Sequence, residues 1–319
     1  MPGIVILDGY TVNPGDLSWE GIATQGCLTV YDRTSADQVV ERIGDAEIVF
    51  TNKVVLTESI LNSCPNLRFI GELATGYNNI DLNAASQRGI CVCNIPAYST
   101  DSVVQMTFAL LLEACHHVGD HSAQVHSGVW SAARDFCYWS HPLMELSGKT
   151  LGIIGFGRIG QGVARVGRAF GMNVLAYSPH RKPEMDADGC QYAPLNELFA
   201  HSDVISLNCP LFPETANLIR EENLSKMKNG VILINTARGA LLNEQDVRAA
   251  LESGKLGALC ADVAAVEPIP ADSPLLGAPN AILTPHIAWA PREARLRLIG
   301  IATENLRAFL EGRPVNRVN

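Results

Sequence analysis

Three short segments in the second half of the sequence carry side chains suited to acid–base chemistry on a small anion. They are Asn235-Thr-Ala-Arg238-Gly239, Asp262-Val-Ala-Ala-Val-Glu267-Pro268 and Thr284-Pro-His286-Ile-Ala-Trp289. Each follows an apolar run that reads as a strand, at 231–234, 256–261 and 281–283. Ligands of open α/β sheets sit outside the carboxyl ends of the strands, so Arg238 would project where an anionic substrate could bind. Reduction of a keto acid needs a cation to hold the carboxylate and polarise the carbonyl. It also needs a proton donor that titrates near neutrality. Arg238, His286 and a carboxylate that stabilises imidazolium, Glu267, supply those groups. Each also has a plainer reading: a surface ion pair, a core hydrogen-bonder and a loop acid. Spacing alone leaves open whether the three meet.

A second chemical signal is Thr150-Leu-Gly-Ile-Ile-Gly-Phe-Gly-Arg-Ile-Gly160. A short strand, 151–154, runs into Gly155-Phe-Gly157-Arg158-Ile159-Gly160 and then into a helix reaching about residue 170. Gly155 permits the tight turn, Gly157 lets backbone amides approach a pyrophosphate, and Gly160 lets the helix pack closely on its strand. The helix N-terminus adds unpaired N–H groups and partial positive charge. This context predicts a dinucleotide site, against the alternative of an ordinary Gly-rich turn. NAD-binding units usually place an acid near the end of the next strand. Here the sequence reads Tyr177-Ser178-Pro-His180-Arg181-Lys182. A neutral Ser178 followed by three potentially cationic residues suits a 2′-phosphate, so NADP(H) is favoured, with NAD(H) or dual use open.

Alternating strands and helices must position these groups. The chain has 319 residues, 47% of them hydrophobic and 18% charged, enough for two domains with substantial cores. A net charge of −9 argues against nucleic-acid or anionic-membrane partners. Neither an 18-residue apolar run nor a basic, then apolar, N-terminus is visible, so no membrane span or signal peptide is expected. Nine scattered cysteines read as reduced core residues of a cytoplasmic protein. Strands at 4–7, 28–30, 47–50, 68–71 and 90–93 make a first α/β domain, with helices around 36–44 and 57–63. Cys91 and Cys93 would share one face of a strand, as core. Two loops at strand ends stand out: Thr51-Asn52-Lys53, and Leu73-Ala74-Thr75-Gly76-Tyr-Asn-Asn-Ile-Asp81, whose glycine could turn amides toward an anion.

A helix over 103–118 is expected to carry the chain into the second domain. His116, His117 and His121 lie in and after it, but no thiol or carboxylate set completes a metal site. Residues 122–146 lose periodicity and hold Trp130, Phe136, Tyr138 and Trp139, an arm that would pack on its own domain or on a second subunit. From 150 onward the alternation predicts a doubly wound parallel sheet, with helices at 194–200, 221–227, 243–253 and 291–310.

The chain resembles the D-isomer-specific 2-hydroxyacid dehydrogenases from end to end. The segments Leu-Gly-Ile-Ile-Gly-Phe-Gly-Arg-Ile-Gly, Asn-Thr-Ala-Arg-Gly, Asp-Val…Glu-Pro and Thr-Pro-His all occur in family order. Within the family it is most similar to glycerate dehydrogenases, or hydroxypyruvate reductases. Ala74-Thr-Gly-Tyr-Asn78, Thr51-Asn-Lys53, Tyr138-Trp139…Pro142-Leu143 and His286-Ile-Ala-Trp-Ala290 point there.

The resemblance implies two doubly wound parallel-sheet domains with a cleft between them: a flavodoxin-like substrate domain, 1–99 plus 286–319, and a Rossmann cofactor domain, 100–285. It also implies a homodimer with 119–146 as its arm, and Trp139 reaching the neighbour's pocket. By analogy Arg238 binds the keto acid, His286 gives the proton and Glu267 bonds the other imidazole nitrogen. Asn52, Lys53 and the amides of Ala74, Thr75 and Gly76 would meet the substrate, Thr75 also the cofactor. Arg158 and Ile159 would meet the pyrophosphate, Ser178 and Arg181 the adenosine ribose, and Cys209, Thr236, Ala237 and Asp262 the nicotinamide half.

The expected reaction is reversible reduction of hydroxypyruvate, and of glyoxylate, to the D-2-hydroxy acid. Alternatives are another small 2-keto acid, a cofactor-sensing co-repressor, and a fold-related hydrolase of adenosyl thioethers, which would need substantial extra sequence.

Overall fold

A computed structural model describes residues 1–179 and 189–319. The chain divides into two compact units, Met1–Ser99 with Ala290–Asn319, and Thr100–Trp289. The break thus falls after Trp289, a few residues beyond the 285/286 position expected from sequence. Among the described residues no helix is long and apolar enough to cross a membrane.

The first unit is built on five parallel strands: β1 (Gly3–Ile6), β2 (Cys27–Val30), β3 (Ile48–Thr51), β4 (Phe69–Glu72) and β5 (Cys91–Cys93). Their order is β2-β1-β3-β4-β5. The direction of winding reverses between β1 and β3, so the loops after those strands flank the point where such sheets bind ligands. β3 and β4 are buried along their whole length, as strands covered on both faces must be. Gly71 shows how tightly they pack, since a Cβ there would stand 2.3 Å from Cδ1 of Phe50. Phe69 touches both Phe50 and Phe309 of the C-terminal helix (Arg292–Leu310), with ring centroids 5.8 and 4.9 Å away. Short helices α1 (Glu20–Ala23), α2 (Val39–Ile43), α3 (Glu58–Ser63) and α4 (Leu82–Gln87) join the strands. Asp81 caps α4 by accepting the Ala84 amide at 2.9 Å. Cys91 and Cys93 do share one buried face, their Sγ atoms 3.7 Å apart.

The second unit opens with α5 (Thr100–His116) and α6 (Val118–His126). His117 adopts a left-handed conformation, φ 48°, and separates the two. A helix was not expected over 118–126; its few apolar residues gave no core-facing stripe, and indeed none of its residues is buried. Residues 127–149 hold no helix or strand.

Then follow β6 (Thr150–Ile154), α7 (Arg158–Ala169), β7 (Asn173–Tyr177), β8 (Gln191–Tyr192), α8 (Leu195–His201), β9 (Val204–Leu207), α9 (Glu221–Ser225), β10 (Val231–Asn235), α10 (Glu244–Glu252), β11 (Leu256–Ala261) and β12 (Ala281–Leu283). The sheet is parallel throughout, in the order β12-β11-β10-β9-β6-β7-β8, and reverses between β6 and β9. Successive strand residues feed two cores. Leu151, Ile153, Val204, Ile232 and Ile234 pack on one face with Phe108 of α5. Ile154, Ile205, Leu207 and Leu233 pack on the other with Leu198 and Phe199.

Candidate active site

β10, β11 and β12 are neighbours in the sheet, and the chain leaving each carries one of the candidate segments. Beyond β12 the loop bearing His286 is held by Asp262, a fully buried residue just past β11. One oxygen of Asp262 accepts the Thr284 hydroxyl at 2.6 Å and the Ile287 amide at 2.9 Å, and the other accepts the Ala288 amide at 2.7 Å. A buried carboxylate needs such donors, and here they flank His286 on both sides. His286 itself stands in the left-handed region, φ 55°. Its Nδ1 lies 2.6 Å from Oε2 of Glu267. The other oxygen of Glu267 accepts the Ala264 amide at 3.1 Å.

Arg238 is positioned from the adjacent strand. Asn235, buried at the end of β10, accepts the Ala237 amide at 3.0 Å and donates to the Arg238 carbonyl at 2.9 Å. The amide side chain therefore replaces the strand ladder where the chain turns away. Gly239 then passes against the next loop so closely that only hydrogen fits there. The guanidinium of Arg238 is exposed and spends one bond on the Ala237 carbonyl, at 2.7 Å. Expected as three separate segments, Arg238, Glu267 and His286 thus belong to one connected set of loops.

The glycine stretch fits a dinucleotide phosphate. Gly155 has φ 93°, and a Cβ there would lie 2.5 Å from the Cys209 amide nitrogen. A Cβ on Gly160 would stand 2.2 Å from the Gly155 carbonyl oxygen. Both glycines are demanded by packing. Gly157 differs, because the space where its side chain would stand is open and it caps α7 without a side-chain bond. Amides of Arg158 and Ile159 open that helix, the arrangement in which helix N-termini hold phosphate.

Ser178 directly follows β7, whose last carbonyl, on Tyr177, accepts the Gly155 amide at 2.9 Å. Cys209 lies just past β9, its thiol pushed up from the ordinary range by burial. The Thr236 hydroxyl bonds that of Thr107 on α5 at 3.2 Å, beside Ala237. Arg181 lies outside the described residues.

The remaining expected residues lie in the first unit and in the arm. Asn52 and Lys53 follow β3, and their amides donate to the two oxygens of the buried Asp8 at 2.9 and 2.6 Å. Ala74, Thr75 and Gly76 follow β4. This loop is braced by Thr75 Oγ1 on the Ile95 carbonyl at 2.8 Å and by the Ile95 amide on the Ala74 carbonyl at 2.9 Å.

Trp139 is 67% exposed and lines a groove of about 450 Å3 within the arm, together with Trp130, Tyr138 and Leu143. Among the described residues no cluster of three or more His, Cys, Asp or Glu could hold a metal ion. Sequence reasoning missed the buried carboxyls Asp8 and Glu72, the Asn79 side chain that donates to Glu72 at 3.1 Å, and the bracing role of Asn235. The signal for Glu72 was a carboxylate ending an otherwise apolar strand, and for Asp8 one directly after the apolar run 4–7.

The model of the NAD-binding domain of D-isomer specific 2-hydroxyacid dehydrogenases matches residues 108–288. The chain is 54% identical over 319 residues to the hydroxypyruvate reductase of Blautia hydrogenotrophica, with 99% of each chain covered. It is 38% identical over 292 residues to the glycerate dehydrogenase of Methylorubrum extorquens, covering 90% of each. Among solved structures, D-lactate dehydrogenase from Aquifex aeolicus, complexed with NAD and lactic acid, superposes with a TM-score of 0.84 at 31% identity. That match covers 98% of this chain and 96% of the other. On this likeness along its whole length, the chain belongs to the D-isomer-specific 2-hydroxyacid dehydrogenase family.

Proposed function

We propose that this chain reversibly reduces hydroxypyruvate to D-glycerate, with glyoxylate as a second substrate. The observation that carries the reading is the 2.6 Å bond between His286 Nδ1 and Glu267, set beside the turn that presents Arg238. The substrate is named on the relative that is 54% identical and known as a hydroxypyruvate reductase.

Arg238 holds the keto-acid carboxylate and draws electron density from the carbonyl oxygen. Glu267 fixes Nδ1 of His286 as a donor, which leaves Nε2 to deliver the proton to that oxygen and to take it back in the reverse direction. Asp262 keeps the imidazole in register through the backbone on either side of it. The amides of Ala74, Thr75 and Gly76, with Asn52 and Lys53, add grip on the carboxylate end. A bound nicotinamide supplies or accepts the hydride at C2.

The amides of Arg158 and Ile159 take the pyrophosphate, and Cys209, Thr236, Ala237 and Asp262 line the nicotinamide half. A neutral Ser178 where NAD-binding units usually place an acid, with the cationic Arg181 three residues on in the sequence, makes NADPH the favoured coenzyme. The exposed aromatic arm joins two copies as a homodimer, with Trp139 at the partner's substrate site.

The test is a panel of small 2-keto acids assayed with NADPH and NADH by loss of reduced-nicotinamide absorbance. Hydroxypyruvate is expected to give the highest kcat/KM. Selectivity for pyruvate or a branched keto acid would replace the substrate assignment, and no turnover with any of them would end the reading as an oxidoreductase.

A further inference from the structure

Glu72 closes β4 and has no exposed surface at all. Its Oε2 accepts the Asn79 side-chain amide at 3.1 Å, while Oε1 is buried without a hydrogen-bond partner among the described residues. A carboxylate in that position would leave a charged oxygen uncompensated, which is far more costly than a neutral acid.

Its surroundings favour the neutral form further. Burial acts first, and the Asp8 carboxyl, two residues past β1, adds like charge. Only the Asn79 amide and the Lys53 ammonium work against them, and together these influences push Glu72 up to about 9. Burial raises the Asp8 carboxyl too, but the Asn52 and Lys53 amides that it accepts act against that, so of the two it is the better placed to be ionised.

The same few residues tie two loops together. Asn79 bonds Glu72 and also the Val54 carbonyl, at 3.2 Å, and its own carbonyl accepts the Leu56 amide at 2.8 Å. The loop carrying Asn52 and Lys53 is therefore clamped by Asp8 at one end and by Asn79 at the other. Glu72 sits immediately before the segment that carries Ala74, Thr75 and Gly76.

We infer that Glu72 is a positioning residue held as a neutral carboxylic acid, which anchors Asn79 and so keeps the Asn52–Lys53 loop and the 74–76 loop in register to grip the substrate carboxylate. The inference rests on the proposal that those loops bind the keto acid. With Glu72 neutral, the two carboxyls carry between them only the negative charge of Asp8, beside Lys53. Ionisation of Glu72 would add a second one behind a site that must attract an anion.

The experiment compares wild type, Glu72→Ala and Glu72→Gln in steady-state reduction of hydroxypyruvate from pH 6 to pH 10. Glu72→Ala, which removes the anchor, should raise KM about tenfold with little change in kcat. Glu72→Gln should restore KM, since the amide imitates the neutral acid. In wild type KM should climb about tenfold per pH unit above pH 9, and in Glu72→Gln that climb should vanish. A protonated-carboxyl band in the infrared spectrum of wild type, lost in Glu72→Gln, gives the protonation state without any assay.

The same alkaline KM profile in wild type and Glu72→Gln, or no such band, overturns the inference. Lys53→Ala tests the underlying reading by itself. If it leaves KM unchanged, the substrate loops are misassigned and the positioning role falls with them. If it raises KM while Glu72→Ala does not, only the role of Glu72 falls.

Discussion

Gly239 and Ala264 approach so closely that a Cβ on the glycine would stand 1.9 Å from the Ala264 carbonyl carbon. This contact sets the turn that carries Arg238 against the loop that carries Glu267, and through Glu267 against His286. His286→Ala and Arg238→Ala should therefore each lower kcat/KM by roughly 10²–10⁴. Glu267→Gln removes the charge and should act mainly on kcat. Gly239→Ala should damage turnover without touching any reacting group, because backbone cannot yield the missing space. Steady-state kinetics on the four variants decide this, and wild-type turnover in His286→Ala would remove the proton donor from the scheme.

Asp262 performs a different task from Glu267, although both are carboxylates beside His286. It is buried and takes three donors from the loop on either side of the histidine. Asp262→Ala strands those donors and should cost about 3 kcal/mol of stability in urea unfolding, with a loss of kcat as the loop drifts. A stability change below about 0.5 kcal/mol would mean that the loop is held by other means.

Of the three glycines at the turn into α7, two answer to packing and one to the proposed phosphate site. Gly155→Ala and Gly160→Ala force a side chain into backbone at 2.5 and 2.2 Å and should depress the melting temperature. Gly157→Ala meets open space, so it should fold within about 0.5 kcal/mol of wild type. It should nonetheless weaken the coenzyme about tenfold or more, since its methyl would stand in the proposed phosphate cradle. Calorimetric binding of NADPH to a normally folded Gly157→Ala protein is the measurement. Unchanged affinity would place the pyrophosphate elsewhere.

The proposed NADPH preference is tested at the residue after β7. Ser178→Asp offers a carboxylate to a ribose 2′-hydroxyl and repels a 2′-phosphate. It should shift the ratio of kcat/KM for NADPH over NADH downward by about tenfold or more, and Arg181→Ala should shift it the same way. Equal losses with both coenzymes in Arg181→Ala would leave the basic turn without a role in selection.

Much of this architecture was legible because it is written in local pattern. The apolar runs at β6, β9, β10 and β11 are buried on both faces and so carry almost no polar residue, and the glycine turn is contiguous. Thr284, His286 and Asp262 could be named from their places at strand ends. What pairs them could not, because the bonds from Asp262 to Ile287 and Ala288 span about 25 residues and exist only once β11 and β12 lie side by side. α6 escaped because none of its residues is buried, which leaves no periodic apolar stripe to read. Glu72 escaped for the opposite reason. Periodicity searches for apolar side chains, and an acid at the end of a buried strand looks like the first residue of a loop until its burial is known.

The pH dependence of stability gives Glu72 a test independent of catalysis. Its carboxyl titrates near 4.5 in an unfolded chain and is pushed up to about 9 in the native one, chiefly by burial. Between those values the native state keeps a proton that the unfolded state has lost, so native stability falls as pH rises through the window. Below about pH 4.5 both states are protonated, above about 9 both are ionised, and in either range the slope from this residue disappears. Glu72→Gln carries no such proton. The melting temperature of the variant, taken relative to wild type, should rise steadily from pH 5 to pH 9 and then level off. A constant difference across that range would mean that Glu72 is already ionised in the folded protein at pH 5.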